Sequence, residues 1–320
     1  MKLSLLALTS LFAQTAAFTT SIPAGRASAL FSTPEMPVPP PEPTPEVAPE
    51  PVSSVPVPVT SQPSATLPNG DLDPTQVVLF PEEHDTCIPR IEGGGTLRST
   101  KIPQWATRVQ YKIESFGRPL KGEVQLWLGP ERKTHTLTFA NENGVHFPIE
   151  STLKFKPNPT FKITTAEDPN CPLKISLSVP TPERAQELEN ITEQLFYQAD
   201  SEQKKTIQGG NVNGKHGQWV TWTIPENVDA VQLIGWSINT GKKSFRVKVE
   251  MIKGPNNVMQ KYTLQCGGGS QPYHTVLQTP GAGWTVRMTN LKFMEDGKVE
   301  FAVLPFDARP ANEGNLMDWN

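Results

Sequence analysis

Ile91-Glu92-Gly93-Gly94 returns as Ile207-Gln208-Gly209-Gly210, Ile102-Pro103 as Ile224-Pro225, and Val109-Gln110 as Val231-Gln232. After a short insertion the correspondence continues. Leu126-Trp127-Leu128-Gly129-Pro130 lies over Met251-Ile252-Lys253-Gly254-Pro255, Leu137-Thr138-Phe139 over Tyr262-Thr263-Leu264, Phe161-Lys162-Ile163 over Val286-Arg287-Met288, and Val179-Pro180 over Leu304-Pro305. The offset is 116 residues at Ile91, 122 at Ile102 and Val109, and then holds at 125 from residue 120 to 180, which chance does not readily supply. Solenoid repeats run about 20–50 residues, so this period instead suits two copies of one compact domain.

Inside the copies the side chains alternate. Val109, Tyr111 and Ile113 interleave with Gln110, Lys112 and Glu114; Val124, Leu126 and Leu128 with Glu123, Gln125 and Trp127; Phe245, Val247, Val249 and Met251 with Arg246, Lys248 and Glu250; Val299, Phe301 and Val303 keep the same period. A period of two between Gly, Pro and Asn punctuation is the pattern of half-buried antiparallel strands. The expected fold is therefore all-β: two tandem, internally duplicated β-sandwich (jelly-roll-like) domains joined by one α-helix. The repeats fall at 77–180 and 201–308 and the helix at 181–200. Thr181 caps that helix, Pro182 suits its first turn, and Ala185, Leu188, Ile191 and Leu195 line one apolar face over 182–199.

The first 76 residues read differently. Lys2, the apolar run Leu3 to Phe12 and Ala16-Ala17 compose a signal peptide over 1–17, too short to span a bilayer. Residues 18–33 contain Arg26 and no acid, a transit-segment composition, and the pair reads as a two-part plastid presequence or as the leader of an ordinary secreted protein. Residues 34–76 hold 14 of the chain's 33 prolines, among them Pro37, Pro43 and Pro68; this composition favours a solvated linker in polyproline II.

Comparing the copies face by face locates a candidate contact surface. At the 122 offset, Lys112, Glu114 and Phe116 become Ile234, Trp236 and Ile238. One strand thus shows a charged outer face in the first copy and an apolar one in the second, so the second must be covered by the helix, the sister domain or another subunit. The tail, 309–320, is polar until Leu316, Met317 and Trp319, an aromatic anchor suited to a neighbour's groove or sheet edge.

Catalytic chemistry is hard to find in these residues. Cys87, Cys171 and Cys266 have no metal-site spacing, and their odd number rules out a complete disulfide framework, which favours a reducing compartment. His84, His135, His146, His216 and His274 are scattered, with no nucleophile and orienting acid to complete a triad. Gly93-Gly94-Gly95 and Gly267-Gly268-Gly269 lack the Lys-Ser/Thr of a phosphate loop and read as turns. Exposed tryptophans would support a carbohydrate-binding or lectin-like module, although Trp219 and Trp222 point to opposite faces and at least one belongs to the core. A net charge of −3 argues against nucleic acid, and after residue 30 no segment is apolar enough to span a membrane.

The two-part presequence, the Pro-rich leader, the duplicated β-domain with its connecting helix and the short aromatic-ended tail resemble the diatom pyrenoid shell proteins, above all over Ile91 to Pro130 and Ile207 to Pro255. The resemblance implies a structural protein that is not an enzyme and needs no cofactor. It implies a subunit that packs laterally with itself and with paralogous shell proteins into a sheet. That sheet would enclose the Rubisco matrix of the plastid pyrenoid and support CO2 concentration and fixation. On this reading Ile234, Trp236, Ile238, Leu316, Met317 and Trp319 are the candidate assembly contacts.

Overall fold

The computed structural model describes residues 66–309 apart from 82–83, 157, 213–214, 238–243, 268–271 and 293–296. The presequence, most of the Pro-rich tract, Ile238 and the tail with Leu316, Met317 and Trp319 lie outside the described residues. The first repeat forms β1 (Thr86–Ile91), β2 (Leu97–Lys101), β3 (Arg108–Ser115), β4 (Leu120–Leu128), β5 (Arg132–Asn141), β6 (Ile149–Lys154), β7 (Pro159–Thr165) and β8 (Leu173–Ser178). Helix α1 (Pro182–Gln198) follows. The second repeat forms β9 (Lys204–Gln208), a short ribbon of β10 (Asn211–Val212) and β11 (Lys215–His216), then β12 (Trp219–Thr223), β13 (Val228–Ser237), β14 (Phe245–Lys253), β15 (Asn257–Cys266), β16 (Tyr273–Gln278), β17 (Trp284–Asn290) and β18 (Lys298–Ala308).

These strands build two eight-stranded antiparallel sheets. Sheet A runs β1-β8-β3-β6-β16-β13-β18-β9 and sheet B runs β12-β17-β14-β15-β5-β4-β7-β2. Within each repeat the connectivity is the same: first, eighth, third and sixth strands on one side, second, seventh, fourth and fifth on the other. That is the jelly-roll order. Gly129 and Gly254, aligned by the repeat, serve the same purpose in both copies: each takes a positive φ (65° and 68°) in the turn after its strand, a conformation that costs glycine little.

The two jelly rolls do not sit as separate beads. Strand β5 pairs with its own counterpart β15, and β6 pairs with its counterpart β16, so both sheets run unbroken from one repeat into the other. Thr138 faces its equivalent Thr263 in sheet B, and Ser151 faces Thr275 in sheet A, where the Ser151 hydroxyl donates to Thr275 Oγ1 across 2.7 Å. A pseudo-twofold axis therefore pierces both sheets at these pairs. Joining the halves this way satisfies four edges that two isolated sandwiches would leave open.

The inner faces of both sheets form one continuous core across the repeats. Tyr111 meets Phe161 at 5.5 Å, Phe245 meets Phe301 at 5.8 Å, and Phe147 of the first repeat meets Trp284 of the second edge-on at 5.6 Å. Helix α1 starts where the sequence places it, with the Thr181 hydroxyl accepting from the Arg184 N–H at 3.3 Å, and it lies on the outer face of sheet A.

Candidate assembly surfaces

The apolar outer face of β13 is covered from within the chain. Leu188, Ile191, Leu195 and Phe196 of α1 pack with Ala230, Ile234, Val276, Ala302 and Leu304 of the sheet, and Leu72, Val77 and Leu79 close the same cluster. Ile234 is fully buried there, so of the three covers its sequence leaves open, the helix is the one it has. Trp236 is half-buried, stacked on Phe196 at 5.4 Å and 6.0 Å from Tyr197, which is itself exposed. In the first repeat the equivalent face stays in solvent as a charge ladder: Lys112 bonds Glu150 at 2.8 Å, and Lys174 bonds Glu114 at 3.2 Å.

Residues 72–80, read from composition as the end of a linker and the start of a repeat, form a strap across sheet A. Two glutamines at the 122 offset hold it. Gln110 Nε2 donates to the Leu79 carbonyl, and Gln232 Nε2 donates to the Pro74 and Pro305 carbonyls at 2.9 and 3.0 Å. Gln198 of α1 grips the strap at both backbone groups of Leu72, at 3.0 and 2.6 Å, and Arg184 donates to the Val78 carbonyl. Sequence reasoning did not assign these glutamines a role, yet the signal was present: Val109-Gln110 and Val231-Gln232 repeat a polar residue that a merely solvent-facing position has no reason to keep.

Beneath the helix a polar network links both repeats. His274 Nε2 meets Gln232 Oε1 at 3.0 Å and His274 Nδ1 meets the Thr192 hydroxyl of α1 at 3.0 Å. Arg108, 1 % exposed, lies at 3.5 Å from the Thr152 hydroxyl. Burial pulls the guanidinium down to about 10, partly offset by Glu189 and Glu193 on the helix, and burial with the nearby Arg108 charge holds His274 down at about 3. The imidazole is therefore neutral and serves as a hydrogen-bond relay within the packing.

A second buried group invites a catalytic reading and does not support one. His135 Nδ1 lies 3.2 Å from Cys266 Sγ between the sheets, next to Tyr273. Desolvation pushes the Cys266 thiol well up and His135 down to about 3, so neither charge of a thiolate–imidazolium pair is favoured. Both side chains are sealed from solvent. All three cysteines are free, and among the described residues no cluster of His, Cys, Asp or Glu converges on a metal position. Gly93 packs against the backbone of Asp168 and Pro169, as a structural turn does.

The outer face of sheet B is broad and carries no helix among the described elements. One row of residues crosses it in register: Trp219, Thr289, Lys248, Thr263, Thr138, Glu123, Thr164 and Leu97. It is nearly palindromic about the pseudo-axis and ends in an exposed apolar side chain at each edge. Trp219 is 62 % exposed on β12 and Leu97 is 54 % exposed on β2. Trp222, its neighbour on the opposite face, is core, and Trp127 lies under Lys162 at 4.4 Å. Trp219 and Trp127 stand five strands apart, about 24 Å, too far for one sugar platform. No helix among the described residues is long and apolar enough to cross a membrane.

A family model described as diatom pyrenoid shell protein matches residues 83–305, which includes both jelly rolls and the helix. No curated protein matches the chain. Solved structures overlay loosely. The PBSX exported protein XepA is 9 % identical at a TM-score of 0.23, with 76 % of this chain and 98 % of that one covered. A point mutant of Bacillus subtilis oxalate decarboxylase is 12 % identical at 0.17, with 69 % and 68 % covered. Vicilin from Capsicum annuum is 9 % identical at 0.18, with 69 % and 75 % covered. Overlays this loose carry nothing about chemistry or assembly.

Proposed function

The chain belongs to the diatom pyrenoid shell proteins, and from that premise we propose that it is a non-enzymatic building block of a protein sheet around the pyrenoid. The subunits associate laterally with one another and with paralogous shell proteins. The sheet encloses the Rubisco matrix in the plastid and supports CO2 concentration and fixation there. The family match over residues 83–305 carries this reading.

The geometry supports it in two ways. The double jelly roll is a slab with two extended faces of different chemistry: sheet A bears α1 and the strap, and sheet B presents threonines with Lys121, Lys162, Arg246 and Lys261. An enclosing layer needs such an inside and outside. Its two ends are similar but not identical, and contacts between unlike ends need not close, so assembly extends. The candidate contacts then divide. Ile234 acts indirectly by seating α1, Trp236 with Tyr197 forms a half-exposed aromatic patch, and Leu316, Met317 and Trp319 are proposed to hook a neighbour.

Negative-stain electron microscopy of purified protein beginning at residue 66, which retains the strap, tests the proposal. Sheets or tubes are expected from this chain alone. Removing Leu316 to Asn320 should weaken them while leaving the circular dichroism unchanged. Uniform folded monomers at high protein concentration would overturn the self-assembling role.

A further inference from the structure

We infer that copies of this chain join end to end by pairing β2 of one with β12 of the next, so that sheet B continues from subunit to subunit; the inference rests on the assembly reading and names its interface. The four strands that end the sheets are not equally defended. Soluble proteins guard open edges with proline, bulges and charge. Strand β1 carries Pro89 and a register shift between Ile88 and Ile91, and β9 carries Lys204 and Lys205. Strand β12 has none of these. Its five residues, Trp-Val-Thr-Trp-Thr, are uncharged, favour extended structure and pair with β17 without a break. The Thr221 carbonyl on its open edge accepts from Lys205 Nζ at 2.8 Å, a contact that an incoming strand would displace.

Strand β2 is also five residues long, pairs with β7 in continuous register and contains no proline or bulge; it carries two charges, Arg98 and Lys101, which an uncharged partner such as β12 does not repel. The molecule has already made this kind of joint once, at β5–β15 and β6–β16. Strand parity then fixes the direction. Every pairing is antiparallel and each large sheet has eight strands, so its two outer strands point in opposite directions. A copy displaced along the sheet therefore brings β12 antiparallel to β2. Leu97, Ser99 and Lys101 share the outer face with Trp219, Thr221 and Thr223. The register that places Ser99 opposite Thr221 sets Lys101 opposite Trp219, a cation–aromatic pair, and buries Leu97 beside Thr223.

The test is a cross-link. In a Cys87→Ser background, Ser99→Cys and Thr221→Cys are made in separate full-length chains. The two are mixed under assembly conditions and oxidised. The sites lie on opposite edges of one sheet, so a bond between them forms only between copies. We expect covalent heterodimers from the mixture and a ladder of multimers from the double variant. Trp219→Asp, at an exposed position, should keep the fold and raise the protein concentration needed for assembly at least about tenfold. Assembled particles that form no cross-link here, or when Thr221→Cys is replaced by Trp219→Cys or Thr223→Cys, would overturn the edge joint and leave the assembly reading standing. Wild-type chains that never assemble would overturn both.

Discussion

His135 and His274 show how a single buried side chain ties stability to pH. Each is held neutral, with its pKa down at about 3, while the unfolded chain offers an ordinary imidazole near 6.5. The unfolded state therefore takes up protons below about pH 6.5 that the folded state refuses until about pH 3. Stability is complete above 6.5 and falls through that window, by about 2 kcal/mol per histidine between pH 7 and 5. Urea unfolding at the two pH values should show this, and His274→Gln should remove about half of the histidine contribution. An unchanged slope in the variant would mean that His274 is not the titrating group. Trp236 carries the other prediction at this scale. Because it stacks on Phe196 and Tyr197, Trp236→Lys should loosen α1 and cost about 1–3 kcal/mol in urea unfolding. Full stability with lost assembly would instead make Trp236 a contact between subunits.

At the scale of elements, the strap and α1 act as one lid on sheet A. Leu79 is 1 % exposed while its neighbour Val78 is 47 % exposed, so the two substitutions separate docking from general disturbance. Leu79→Ala should cost about 2–4 kcal/mol and Val78→Ala almost nothing. Equal, small effects in thermal unfolding would show that the strap does not stay seated. This element also marks what a sequence conveys. The strands were legible because alternation reports burial on one face locally, and α1 because Thr181, Pro182 and apolar residues spaced by three and four sit within one segment. The apolar change from Lys112 to Ile234 announced a cover without saying which. The strap escaped notice because Leu72, Val77 and Leu79 follow a proline tract and hold by backbone carbonyls, which every residue has. Likewise Leu97 and Trp219 occupy one repeat position, but only the strand order shows that both end a sheet.

At the scale of the molecule, the repeat gave two domains, and the structure fuses them through their own equivalent edges. Which edges pair is a property of the completed sandwich and has no local signature, so no periodicity could have shown it. The fusion resembles a homodimer that became one chain, since Thr138 meets Thr263 and Ser151 meets Thr275 on the pseudo-axis. A second repeat made alone, from Thr181 to Arg309 so as to keep α1, should then reconstitute that relation with itself. It would leave β15 and β16 open, and β15 presents Tyr262, Thr263 and Leu264, whose mirrored pairing about Thr263 sets tyrosine against leucine much as Tyr262 now faces Phe139. The half should sediment as a dimer with native-like circular dichroism. Thr263→Pro, at the centre of the joint, should yield a monomer, because proline removes a strand donor and is not tolerated inside a sheet. A half that is folded and monomeric without that change would show that the two jelly rolls are independent bodies, and that the continuous sheets contribute little to their stability.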